Sequence, residues 1–344
     1  MIARASLASL VLLAAAAPVI AQQSGPSAVS SGSSDIQEWQ VPWGARTRPR
    51  DPFVDSQGKV WFVGQAGHYI GRLDPATGDF QKWDLEPGAG PHNVIVAPNG
   101  AVWFSGNLVG YIGRLDPATG AITKYMMPDS SIRDPHTMVF DRAGSIRFSA
   151  QQANVIGHLN VTTGAVRVVR VERTRSRPYG IMMDAQDRPW IVLFGTNRIA
   201  TVDPATFALR EYDLPRPEIR PRRIAITSDG AIWYGDYATG YLGRLDPASG
   251  SVEEWPLPGG RTSRPYAIMQ DNQDRIWVFE TGAQPNTLVG FDSRSRQFLP
   301  PRAIPSGGGT IRHVHFDPAT RAIWFGADVG TIGRAPVPPP AAVP

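Results

Sequence analysis

The sequence predicts an all-β protein: a seven-bladed β-propeller of four-stranded antiparallel blades, its ring closed by the N-terminal strand. Three observations lead there. A tryptophan recurs early in a strand, at Trp61, Trp103, Trp190, Trp233, Trp277 and Trp324, with Arg147 in its place in the third copy; the seven landmarks lie 42 to 47 residues apart. A strand and turn follow each landmark: IGRLDPATG at 70–78 and 112–120, IGHLNVTTG at 156–164, IATVDPATF at 199–207 and LGRLDPASG at 242–250, with weaker forms VGFDSRS at 289–295 and IGRAP at 332–336. The last copy ends at IGRAP without a fourth strand, while the chain carries an unclaimed strand-like segment, IQEWQVP, at 36–42. Pairing that segment with the last blade closes the ring and removes its open edges.

In chain order, residues 1–21 read as a secretory signal peptide. Arg4 supplies the positive start, residues 7–17 the apolar core, and Val19-Ile20-Ala21 resembles a cleavage site. The apolar run is short for a bilayer span, and no other segment is suited to one; an uncleaved anchor is the alternative. The mature protein is therefore expected in the periplasm or secreted, free of the membrane after cleavage. Residues 22–34 read as a flexible linker, 35–336 as the propeller and 337–344 as a Pro/Ala-rich tail.

Each copy holds four short strands, in the fourth copy at about 179–184, 189–194, 198–202 and 209–214. Pro98-Asn99-Gly100 and Ser228-Asp229-Gly230 suit tight hairpins. Asp-Pro-Ala-Thr-Gly suits a turn in which Pro sets φ and Gly takes a positive φ. The tryptophans and the glycine of IGR read as packing positions of a shared core. Arg72, Arg114, Arg244 and Arg334 read as pairing groups between blades. The chain has no cysteine, which excludes disulfides, thiolate metal sites and thiol nucleophiles. Its net charge of +4 does not argue for nucleic acid.

Function is expected where the copies differ. Eleven residues before each landmark, at the start of the innermost strand, stand Arg50, His92, His136, Tyr179, Arg222, Tyr266 and, with one insertion, Arg312. Two residues earlier stand Arg48, Gly90, Asp134, Arg177, Arg220, Arg264 and Thr310. Seven arginines against one aspartate make a cationic mouth on the channel, suited to carboxylate or phosphate. Solvated arginines paired with loop acids are the alternative. His92 and His136, in adjacent blades, are placed to share a ligand or a proton. A second ring, three residues after the landmark, is Gly64, Gly106, Ala150, Leu193, Asp236, Glu280 and Ala327. Asp236 and Glu280 read either as a cation-binding or acid–base pair, or as members of a salt-bridge network. His313 and His315 alternate along one strand and give only a weak zinc signal.

These repeats, with Pro-His or Pro-Tyr before an apolar run, Asp-x-x-Gly, Val/Ile-Trp-Phe and IGRLDPATG, resemble the virginiamycin B lyase (streptogramin lyase) family over residues 36–336. The resemblance implies a seven-bladed propeller that opens a cyclic lactone by elimination, with magnesium as cofactor. It places the family's strand-end Glu on Glu280, the implied metal ligand. The family's Glu-x-His pair falls on Arg264-Pro265-Tyr266 and the preceding His on Arg222.

Two readings follow. The first is a lyase-like enzyme acting on a lactone or other anionic small molecule, with Glu280, Tyr266 and Asp236 catalytic. Arg222, Arg264, Arg50, His92, His136, Arg312 and Tyr179 would line the ligand site. The second is a non-catalytic propeller that binds a ligand or a protein over its mouth. A monomer is expected in either case.

Overall fold

A computed structural model describes residues 35–339. The expected signal peptide and linker at 1–34 and the tail residues 340–344 lie outside the described residues. The chain forms seven antiparallel sheets. The inner strands are Pro49–Val54, Pro91–Val96, Pro135–Phe140, Pro178–Met183, Pro221–Ile226, Pro265–Gln270 and Ile311–Asp317, in blades one to seven. They pack against one another around the central axis. Two short 3-10 turns, Ala45–Thr47 and Gly260–Thr262, are the only helical elements among the described residues, and no helix there is long and apolar enough to cross a membrane.

Ring closure is as the sequence predicts. Gln37–Gln40 pairs antiparallel with Thr331–Pro336, Trp39 opposite Ile332, and supplies the fourth strand of blade seven. Trp39 stacks on Trp324 with ring centroids 5.5 Å apart. The same stack recurs as Trp61 on Trp83 and Trp233 on Trp255, and tilted ring pairs take its place in Trp103 with Tyr125 and Trp190 with Tyr212. The buried carboxylate of Glu38 adds hydrogen bonds from Ser306 N–H, Ser306 Oγ and Thr331 Oγ1.

The landmark tryptophans are buried between blades: Trp61 and Trp83 lie in one cluster with Val94, Val96 and Phe104 of the next blade. Several anchor their indole N–H on the hairpin that precedes them, Trp61 on Asp55 at 2.8 Å, Trp190 on Asp184 and Trp277 on Asp271. Arg147 replaces the tryptophan in blade three and sends its Nε to the equivalent Asp141, at 3.3 Å. The glycine of IGR is required by close approach. A Cβ at Gly71 would lie 2.4 Å from the Phe62 ring, and at Gly157 still nearer Phe148. Arg72 pairs within its own blade, with Gln81, and lies over Trp61 and Trp83. Arg244 likewise pairs within its own blade, with Asp229 and Glu253, so the inter-blade role expected of these two arginines is corrected.

Blade six departs from the pattern. Its outer strand is broken into Gln297–Phe298 and Arg302–Ala303, because Pro300 and Pro301 between them have no N–H for the ladder.

Candidate functional site

One backbone irregularity builds the site. In all seven blades the register between the inner strand and its neighbour shifts just after the strand begins, for example between Pro91 and Val94 and between Pro221 and Ile224. A bulge takes residues off the ladder and re-aims their side chains. Here it delivers two successive residues per blade to the axis. The layer nearer the mouth is Arg50, His92, His136, Tyr179, Arg222, Tyr266 and Arg312. The deeper layer is Asp51, Asn93, Thr137, Gly180, Arg223, Ala267 and His313.

Arg223 of blade five spans the deeper layer. It donates to Thr137 Oγ1 of blade three at 2.8 Å and to the Arg312 carbonyl of blade seven at 2.9 Å, and lies 3.6 Å from Asp51 of blade one. Gly180 makes room for it, since a Cβ there would approach Arg223 Cα to 2.9 Å. Asp51 also accepts from Arg50 Nε at 2.9 Å and Asn93 Nδ2 at 3.1 Å. Burial works to raise the Asp51 carboxyl, but Arg50 and Arg223 outweigh it and hold it below the usual range.

The outer layer is a chain of rings. His92 packs against His136 at 3.5 Å between centroids, and His136 against Tyr179 at 4.1 Å, with the rings tilted by 38° and 52°. The hydroxyls of Tyr179 and Tyr266 meet at 2.5 Å. Arg222 donates to the Tyr266 hydroxyl at 2.9 Å, and its guanidinium lies among four rings: Tyr266 at 3.8 Å, Phe194 and Tyr237 at 4.4 Å, and Tyr179 at 5.2 Å. Arg312 pairs with Asp328, and Arg50 donates to Gln65 at 2.9 Å.

The electrostatics are one-sided. Arg50 and Arg223 share one carboxylate, Asp51, while Arg222 has tyrosines for neighbours. Burial, then the surrounding guanidinium groups, hold His92 and His136 well below their ordinary pKa, so both are neutral. Burial and Arg223 bring His313 down to about 3. Buried nitrogens without a hydrogen-bond acceptor collect here: Arg50 Nη2, Arg222 Nε, Arg223 Nη2, His92 Nδ1 and His313 Nδ1. Burial raises the Tyr179 phenol, but Arg222, Arg223 and Arg50 together overcome this and bring it to about 8. Tyr266 is pushed up to about 12, by burial first and by Tyr179 second.

The expected acid pair is not part of this assembly. Glu280 is buried and accepts from Gly259 N–H of a loop and from Thr287 Oγ1 of the adjacent strand, both at 2.7 Å, so each oxygen is engaged. Asp236 accepts the N–H groups of Arg220, Ala238 and Thr239 and the Thr239 hydroxyl, with Arg216 at 3.4 Å. Tyr266 faces Arg222 and Tyr179 rather than either acid. Among the described residues no three His, Asp or Glu side chains converge as a metal site. A divalent cation needs several free oxygens. With both Glu280 oxygens occupied and the Asp236 oxygens taken by N–H and hydroxyl donors and approached by Arg216, this donor set does not fit magnesium. Arg264 stands exposed at the rim with its backbone in the left-handed region, φ 47°, as do Arg48 and Arg177.

Asp51 and Arg223 were not among the residues singled out from sequence. The signal that marks them is the charge doublet, Arg50-Asp51 and Arg222-Arg223, inside otherwise apolar inner strands.

Fold and channel define a class: a seven-bladed propeller whose axis is filled by guanidinium and aromatic side chains from the start of each inner strand. The chain belongs to the virginiamycin B lyase family, whose model matches residues 19–287. Virginiamycin B lyase from Staphylococcus aureus superposes with a TM-score of 0.79 at 24% identity, covering 87% of this chain and 98% of that one. A catalytically inactive form of the S. aureus enzyme with quinupristin gives 0.78, at the same identity and coverage. The extracellular domain of a hybrid two-component system of B. thetaiotaomicron gives 0.66 at 17% identity, over 90% of this chain and 44% of that one. At these identities the likeness establishes the fold and leaves the chemistry to the site. No curated protein matches the chain.

Proposed function

We propose that this propeller binds an anionic small molecule, of the carboxylate or phosphate class, at its channel mouth, as a ligand-binding member of its family. The observation that carries this reading is the group of buried guanidinium N–H donors of Arg50, Arg222 and Arg223 that lack acceptors while Asp51 alone opposes their charge. A buried donor left unpaired is costly, and a planar guanidinium matches a carboxylate or phosphate edge. The exposed Arg48, Arg177 and Arg264 at the rim would draw such a ligand in from solvent. The lyase reading has family membership and Glu280 in its favour, but the Glu280 carboxylate is tied to Gly259 and Thr287. We place the working protein, a monomer, outside the cytoplasm, on the strength of the signal-like residues 1–21.

The test is a thermal-shift and calorimetric screen of carboxylates and phosphate esters, with and without magnesium. Binding independent of magnesium, weakened at least about tenfold by Arg222→Gln, is the expected result; one charge-assisted contact is worth roughly that much. Linearisation of quinupristin by the purified protein, with or without magnesium, would overturn the reading.

A further inference from the structure

The channel already holds the makings of an anion of its own. The Tyr179 and Tyr266 hydroxyls are 2.5 Å apart. Neutral hydroxyl pairs centre near 2.7–2.8 Å, whereas a hydroxyl donating to an ionised oxygen sits at about 2.5–2.7 Å. Burial opposes ionisation, and the guanidinium groups around the pair favour it. From blade five, Arg222 donates to Tyr266 and covers both rings, and Arg223 lies 5.0 Å from the Tyr179 ring. From blade seven, Arg312 lies 5.9 Å from the Tyr266 ring, and from blade one Arg50 adds its charge. His136 of blade three is neutral, and Tyr237 lies edge-on to Tyr266. Asp51, already engaged by Arg50, Asn93 and Arg223, is the single acid of the deeper layer, Asp328 pairs with Arg312, and Asp236 and Glu280 bond to other groups.

We propose that the Tyr179–Tyr266 pair gives up one proton inside the channel and serves as its internal counter-ion, so that an oxyanion entering the site takes over the guanidinium groups and the pair takes a proton back. This rests on the anion-binding reading and adds its regulation. On binding, an O–H bond forms at a tyrosine oxygen with a proton from solvent, and nothing is oxidised or reduced. The sign follows. Above pH 8 the phenolate competes with the ligand, so affinity falls as pH rises, by up to about tenfold per unit. Below pH 7 the pair is neutral and affinity levels off.

Two measurements decide it. Near-ultraviolet titration of the native, ligand-free protein reads tyrosinate directly. One tyrosine is expected to ionise near pH 8, moving to about 10 or above in Arg222→Gln and upward in Tyr266→Phe, with circular dichroism confirming that each variant is folded. If every native tyrosine ionises at or above about 10, the pair is an ordinary neutral contact and the proposal fails. The second arm is calorimetry with inorganic sulfate, which exchanges no proton in this range, in two buffers of different ionisation enthalpy. Uptake approaching one proton at pH 9 and none at pH 6 supports the coupling. Binding without uptake at pH 9 overturns it. Failure of sulfate to bind at either pH overturns the anion-binding reading and the coupling with it, while the titration still reports separately on the tyrosine pair.

Discussion

Replacing Trp39 by Ala should open the ring at its one non-covalent seam. Trp39 is 4% exposed, stacks on Trp324 at 5.5 Å, and shares a cluster with Val60, Phe62 and Phe80 of blade one as well as Ile332 of blade seven. Truncating a buried tryptophan costs about 3–5 kcal/mol in transfer and cavity terms together. For a domain of this size that corresponds to roughly 5–8 °C in Tm. Trp83→Ala provides the comparison, since Trp83 makes the equivalent stack on Trp61 at 5.1 Å but sits in a strand joined by a tight turn to its blade. The two variants should lose similar equilibrium stability in urea, followed by fluorescence and circular dichroism. Only Trp39→Ala should also gain rapid tryptic cleavage at the exposed Arg46, because a four-residue ladder, Gln37–Gln40, and the Glu38 carboxylate then hold the closing strand without the covalent turn that backs Trp83. A loss below about 1 kcal/mol, or cleavage at Arg46 no faster than in Trp83→Ala, would refute the account of closure.

Asp51→Asn should destabilise the protein by about 3–5 kcal/mol, because Arg50 and Arg223 are left buried without a counter-charge; added sulfate should restore part of the loss, and denaturant midpoints with and without it check both claims. Acid should weaken the fold early. His313 and His315 are brought down to about 3 and 4, chiefly by burial, and His92 and His136 lie well below the ordinary value of 6.5. A depressed base takes up its proton first in the unfolded chain, so stability is complete above pH 6.5 and falls toward pH 4, by up to about 1.4 kcal/mol per pH unit for each histidine. A flat urea midpoint between pH 6.5 and 4.5 would contradict this. Glu280→Gln should cost about 1–3 kcal/mol through its lost loop contacts and leave anion binding within twofold of the parent, as read by calorimetry.

The propeller was legible because its signals repeat. Each tryptophan, IGR glycine and Asp-Pro turn does in one blade what it does in the next, so seven weak local hints add to one strong one. Ring closure was legible for the same reason, since the segment around Trp39 has the form of every other outer strand. The mouth layer from Arg50 to Arg312 was legible from register. The deeper layer was not. Strict alternation predicts that Asp51 and Arg223 point away from whatever Arg50 and Arg222 face, and only the bulge lets neighbours in sequence share the axis. Asp236 and Glu280 show a related gap between spacing and contact. Their positions at strand ends are as expected, and nearby N–H and hydroxyl donors claim the carboxylates, a local competition about which spacing carries no information.

Arg223 is a tie-rod of the propeller. Crossing from blade five, it meets blades one, three and seven at the axis. Because four of the seven blades meet on that one guanidinium, a change of charge beside it is also a change in how tightly the ring is held together.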